Sequence, residues 1–226
     1  MSDYLEQSLA KLEQFEGCIP WMYRDTVGKV TVAVGLMLPD AAAAEKLPFQ
    51  IDSRPATPAE IAAEFARVDA LPMGRPAQFY RQPHAEAALE LAKPEIDTLL
   101  RTVVLGFEQD LRTRLTGYDS YPDAVKMALL DMVYNLGPAK LFGEFPRLIK
   151  AVEAGAWAQA ADCCSRRGPS AARNAWTRMQ FLSLGGVVAK VQATASAGLL
   201  KDFGYGVIGM AAHAGGALRR WFKTPR

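Results

Sequence analysis

Glu16, Asp25 and Thr31 are the residues near the start of the chain whose types and spacing suit bond cleavage. A glycosidic bond is cut when one carboxyl, kept protonated, donates to the leaving oxygen while a second, ionised, directs water or attacks directly. Taken singly, each residue has a plainer reading. Glu16 suits a helix end or an arginine partner, Asp25 a turn, and Thr31 a strand. Taken together they call for chemistry, because the strand around Thr31 shows small residues on the same face.

The elements that must position them follow from periodicity. Leu5, Leu9, Leu12 and Glu16 share one stripe of an amphipathic helix, capped by Ser2 or Asp3 and running through Phe15. Glu16 thus ends the apolar face as a buried acid, and Gly17 stops the helix. Thr26-Val27-Gly28-Lys29 predicts a turn, and Val30–Gly35 alternates as a strand with Thr31, Ala33 and Gly35 on its small face.

Beyond this stretch, residues 38–55 show no clear period and suggest loop or short helical pieces. Thr57-Pro58-Ala59-Glu60 is a capping box opening a helix to about Ala70. Residues 71–83 are irregular, with Pro72, Gly74, Pro76 and Pro83. From Pro94 the spacing of Ile96, Leu99, Leu100, Val103, Val104, Phe107, Leu111 and Leu115 predicts a long helix suited to spanning two lobes. A helix from about Ser120 to Gly137 follows, then shorter ones over residues 145–154, 156–164 and 171–182. The expected class is α+β, mainly α, with one small sheet near the start.

Composition narrows the classes of function. The 226 residues are 50% hydrophobic and 22% charged, enough for a sizeable core and against wholesale disorder. The net charge is +2, but residues 183–226 carry six Lys/Arg and one acidic residue. A basic tail on a mildly acidic body suggests attraction to an anionic surface, with a merely solvated tail as the alternative, and no nucleic acid partner is expected. Cys18, Cys163 and Cys164 neither form a disulfide framework nor stand at metal-ligand spacing, which fits a reducing cytoplasm. Cys18 is expected to pack as a small residue. With His84 and His213 the only histidines, and no G-x-S-x-G or phosphate loop, serine-histidine and zinc hydrolases are poorly supported. Gly204–Gly209 matches G-x-G-x-x-G but has too little chain after it for a dinucleotide fold. No secretory signal is visible at the start, so synthesis in the cytoplasm and delivery by other means are expected.

Glu-x8-Asp-x5-Thr, set within EG…Y-x-D-T-x-G…T-x-x-x-G, resembles the catalytic signature of phage-type lysozymes, the T-even phage endolysins of glycoside hydrolase family 24. The likeness continues in Met132–Gly137, in Trp157-Ala158-Gln159-Ala160-Ala161, and in Arg173-Asn174 with Phe181. It covers roughly residues 5–40 and 95–182. The resemblance implies a two-lobed lysozyme-like fold with its cleft between a sheet lobe and a helical lobe, acting as an inverting muramidase on peptidoglycan. Glu16 matches the general acid, Asp25 the carboxylate that positions or activates water, and Thr31 the hydroxyl that helps hold it. Gly35, Met37, Tyr134 and Asn135 match positions that contact sugar, and Arg173 is grouped with them as substrate-binding.

The resemblance departs at Leu36, where family members often have histidine, and in the greater length of residues 39–94 and 183–226. Secreted interbacterial toxins with lysozyme domains share that larger form, so endolysin and effector both stay open. The expected organisation is a catalytic domain over residues 1–182, with 39–94 an enlarged region, and a Gly/Ala-rich basic extension over 183–226. No metal or organic cofactor is implied. Peptidoglycan is the expected partner of a monomer acting in the periplasm or at the cell wall, with an immunity or inhibitor protein as a further partner. The uncharged run from Phe203 to Leu218 is short for a membrane span. It leaves open a docked helix, a membrane-active segment or a partner-binding tail. The rival functions are a glycan-binding module without turnover, a membrane toxin acting through the tail, and a lytic transglycosylase, which Asp25 and Thr31 disfavour.

Overall fold

The computed structural model describes residues 3–82 and 88–183. His84, His213 and all of the basic extension except Ser183 lie outside the described residues, and so do the expectations attached to them. The described chain is mainly helical with two small antiparallel sheets, where the sequence pattern led us to expect one. Among the described residues no helix is long and apolar enough to cross a membrane.

The described residues divide into two compact units, one of residues 11–105 and the other of 3–10 with 106–183. Helix α1 (Asp3–Glu16) buries Leu5, Leu9 and Leu12, as its stripe requires. It ends at Gly17, whose φ of 76° is open to a residue without Cβ and whose N–H bonds Glu13 O at 2.9 Å.

In the first unit the order is β1 (Ile19–Arg24), β2 (Val30–Ala33), β3 (Leu36–Met37), α2 (Ala41–Ala44), β4 (Phe49–Ile51), β5 (Arg54–Pro55), α3 (Pro58–Ala70) and β6 (Leu89–Leu91). One sheet runs β1-β2-β3, the other β5-β4-β6, and β6 lies against β1. Strand β1 did not stand out in the sequence, because Pro20 and the mixed side chains of IPWMYR break the alternation. The expected strand over residues 30–35 is shorter. It turns at Ala33, which is buried with φ 59°, so that Leu36 and Met37 fold back on Val32 and Thr31. Residues 38–55 hold the expected short helical piece, α2, capped by Asp40, whose carboxylate accepts from Ala43 N at 2.8 Å; the β4–β5 hairpin was not expected. Asp52 and Ser53 both have positive φ, which suits the right-handed twist of a two-residue hairpin loop.

Helix α3 has the predicted capping box, Thr57 Oγ1 accepting from Glu60 N and the Glu60 carboxylate from Thr57 N. It packs Ile61 and Val68 inward, against β1 and β2. Its buried Glu64 is paired by Arg67 at 2.7 Å and by Gln82 at 2.9 Å. Those bonds give the irregular segment after α3 a fixed path. Arg67 also donates to Tyr80 O, and Tyr80 donates to Pro72 O at 2.9 Å.

Helix α4 (Lys93–Arg114) contributes to both units. The second unit is otherwise helical: α5 (Asp123–Leu136), α6 (Pro138–Glu144), α7 (Pro146–Glu153), α8 (Trp157–Cys163) and α9 (Ala171–Leu182). Helix α6 is an addition to the expected set. Every residue of α5 from Met127 to Tyr134 is buried, so this is the helix around which the others pack. Helix α9 lies on α5 and α8, and α8 on α7.

Candidate active site

The turn between β1 and β2 is built around Asp25. Its backbone N–H bonds Lys29 O at 2.9 Å, and its Oδ1 accepts from Val27 N at 2.9 Å and Lys29 N at 2.7 Å. Arg24 secures the turn from outside, donating to Gly28 O, to Asp69 O at 2.9 Å and to Leu71 O at 2.7 Å. Gly28 has a φ of 78°, which suits a residue without Cβ; a side chain there would meet only the movable ends of Arg24 and Met73, at 3.1 Å.

This turn-forming role, the plainer of the two expected for Asp25, uses one oxygen only. Asp25 is 8% exposed, and its Oδ2 makes no hydrogen bond to another described residue. The outcome is a carboxylate fixed through one oxygen, with the other left to accept a hydrogen bond.

Thr31 lies in β2 and donates to Lys29 O at 3.1 Å, which leaves the hydroxyl lone pairs as acceptors. Its cross-strand partners are Tyr23 on β1 and Met37 on β3. Directly opposed residues of an antiparallel pair share a face, so Tyr23, Thr31 and Met37 form one rung on one side of the sheet. All three are buried. The expected small-residue face is therefore corrected. Its room is taken by the side chains of the neighbouring strands, which the periodicity of β2 alone does not reveal.

Glu16, on the last turn of α1, is half-buried rather than buried. Its charge and that of Asp25 both reach Tyr23. Burial first, then Asp25, then Glu16 hold the Tyr23 phenol above the usual tyrosine range. Tyr23, the tyrosine of the Y-x-D motif, thus stands opposite Thr31 and within reach of the Asp25 and Glu16 charges. Tyr23 was legible as a candidate there: it stands two residues before Asp25, on the same face of an extended strand.

Of the expected sugar-contact residues, Gly35 and Met37 belong to this same unit, in and after the turn that follows β2. Tyr134, Asn135 and Arg173 belong to the helical unit. Tyr134 is 3% exposed with the Phe107 ring edge-on at 5.9 Å, so its ring is a packed residue rather than an open stacking face. Asn135, next along α5, is half-buried. Arg173 corrects the expected role. It is buried, its Nε donates to Asp131 Oδ1 at 2.7 Å, and its place is in the core.

Asp131 is the centre of that core cluster. Asp131 Oδ2 accepts from Arg166 Nη2 at 2.6 Å and from Thr177 Oγ1 at 2.5 Å, and Arg166 Nη1 donates to Asp131 O at 3.1 Å. Burial pulls the Arg166 guanidinium below its usual range against the attraction of Asp131. Asn174 closes the loop, bonding both N–H and C=O of Arg166. The likeness in Arg173-Asn174 thus falls on residues that build the fold. No protein-family model matches the chain, and no curated protein matches it in sequence.

Proposed function

We propose that this protein is a glycoside hydrolase of the muramidase type, cutting between N-acetylmuramic acid and N-acetylglucosamine in peptidoglycan. The reading is supported by the residue-by-residue resemblance to phage-type lysozymes. The observation that carries it is the convergence of the Glu16 and Asp25 charges on Tyr23, directly opposite Thr31. Three residues spread over sixteen positions have no need to meet if each is only a helix end, a turn-former and a strand residue.

In the proposed reaction Glu16 gives its proton to the glycosidic oxygen as that bond breaks. Water forms the new bond to the anomeric carbon from the opposite face, and its proton passes to Asp25 Oδ2. Thr31 Oγ1 accepts from the water's other hydrogen and holds its orientation. Proton exchange with solvent then restores both carboxyls. Such a sequence inverts the anomeric centre, because no glycosyl-enzyme forms. The same reading assigns the chain to the lysozyme-like fold class, with a sheet-bearing and a helical unit sharing α4. It places the action at the bacterial cell wall, as an endolysin or as an effector with an immunity partner.

The test is digestion of purified peptidoglycan by the wild type and Glu16→Gln, with mass spectrometry of the fragments and NMR of the first product anomer. Muropeptides with reducing N-acetylmuramic acid ends from the wild type alone, formed with inversion, are the expected result. Anhydro ends would place the protein with lytic transglycosylases. Binding without fragments would leave a glycan-binding module.

A further inference from the structure

Tyr23 is not accounted for by the roles given to Glu16, Asp25 and Thr31. Tyr23 is 5% exposed and lies in β1 opposite Thr31 of β2, so its position is fixed by the fold. Yet its hydroxyl makes no hydrogen bond to any other described residue. Buried tyrosine hydroxyls are normally satisfied, because leaving such a group dry costs more than a hydrogen bond returns. Tyr80, in the same unit, shows the ordinary case, with its hydroxyl donating to Pro72 O at 2.9 Å. Nor is the Tyr23 hydroxyl sealed from solvent: it is not among the fully buried unpaired polar atoms. An ordered ring carrying an uncommitted hydroxyl beside two carboxylates has the form of a ligand contact.

Resting on the hydrolase reading for its substrate class, we propose that Tyr23 is a substrate-positioning residue whose hydroxyl donates to a neutral oxygen of the glycan beside the bond to be cut. The ligand class follows from the neighbourhood. The Asp25 carboxylate, ionised in the proposed reaction, makes the site hostile to an anion, which leaves a sugar hydroxyl or an acetamido carbonyl as acceptor. The phenol stays protonated, since burial and both carboxylates oppose its ionisation, so it is a donor throughout the pH range in which the protein folds. Thr31 and Met37, beside it on the rung, fix the angle from which the glycan oxygen approaches.

The experiment uses the full chain, with Tyr23→Phe made in the wild type and in Glu16→Gln. Soluble, uncrosslinked peptidoglycan strands are the binding probe and purified peptidoglycan is the turnover substrate. Expected is an about tenfold weaker affinity of the Glu16→Gln, Tyr23→Phe protein than of Glu16→Gln alone, with the melting temperature held within two or three degrees. In the active background KM should rise by a similar factor, and the limbs of the pH–rate profile should stay in place. A second readout is independent of the variant: the ring-carbon NMR signal of labelled Tyr23 in Glu16→Gln should move when the strands are added.

Unchanged affinity together with an unmoved Tyr23 signal overturns the proposal, whether or not the wild type is active. A shifted pH limb with unchanged affinity also overturns it, because Tyr23 would then be acting through a carboxylate. If the wild type releases no fragments but the affinity still falls and the signal moves, the hydrolase reading fails and the Tyr23 contact stands.

Discussion

Asp25 and Asp131 are both aspartates at least nine-tenths buried, one in the sheet-bearing unit and one in the helical unit, and they are used in opposite ways. Asp131 has both oxygens committed, to Arg166, Arg173 and Thr177. Asp25 has one oxygen committed to backbone N–H groups and one left over. A buried carboxylate with both oxygens bonded to buried side chains locks helices together and has little to offer a substrate. One held by neutral donors on a single side is fixed in place and still able to take a proton. Burial and charge do not separate the two roles; the tally of committed oxygens does.

The contrast can be broken from either end. The largest effect is expected at the candidate site: Glu16→Gln and Asp25→Asn should each lower peptidoglycan turnover by a factor of about 10² to 10⁴, the usual contribution of general acid–base catalysis. Asp25→Asn keeps a carbonyl oxygen for Val27 and Lys29 N–H, so its thermal unfolding should stay near that of the wild type. A collapse of its melting temperature would make Asp25 a structural residue like Asp131.

The reverse is expected at Asp131. Asp131→Asn leaves Arg166 and Arg173 buried without their counter-charge and should cost about 3–5 kcal/mol of stability. Urea unfolding monitored by circular dichroism measures this. A stability change under about 1 kcal/mol would show that the cluster relaxes or admits water once the counter-charge is gone.

Smaller effects are expected at the α3 cap, where charge serves only local structure. Thr57→Ala removes the oxygen that accepts from Glu60 N and should cost about 1 kcal/mol, read in the same unfolding experiment. Glu60 sharpens the comparison through pH. Its hydrogen bonds from Arg54, and then from Thr57, hold the carboxyl down to about 2. A folded-state value below the unfolded one means that this stabilisation is present above the ordinary carboxylate range, near pH ~4.3, and is lost as the pH falls toward 2. Melting curves between pH 5 and 2 should therefore lose more for the wild type than for Glu60→Gln. Parallel losses would remove Glu60 as a contributor.

How far the chain was legible can be argued from the same residues. The α3 cap and span, the long α4, the stop at Gly17 and the turn before Lys29 are visible in sequence, because each depends on neighbours within about four residues. Strands β4, β5 and β6 were missed for the complementary reason. Each is two or three residues long, and β4 and β6 are defined by each other across a long stretch of chain, as Phe49 is by Leu91. A run that short carries no period of its own. Arg173 went wrong because a motif preserves a residue type without saying whether the residue serves the substrate or the core.

By itself, the sequence determined which side chains are available for chemistry and the order in which local elements present them. Glu16 comes at the end of an apolar stripe, Asp25 at a turn, and Thr31 just beyond it. Tertiary structure alone decided which of their atoms remain available. Cross-strand pairing filled the face beside Thr31 with Tyr23 and Met37, the turn took Asp25 Oδ1 and left Oδ2, and helix packing drew Arg173 inward to Asp131. Commitment of a polar atom is a property of partners brought together from distant positions, and no local pattern encodes it.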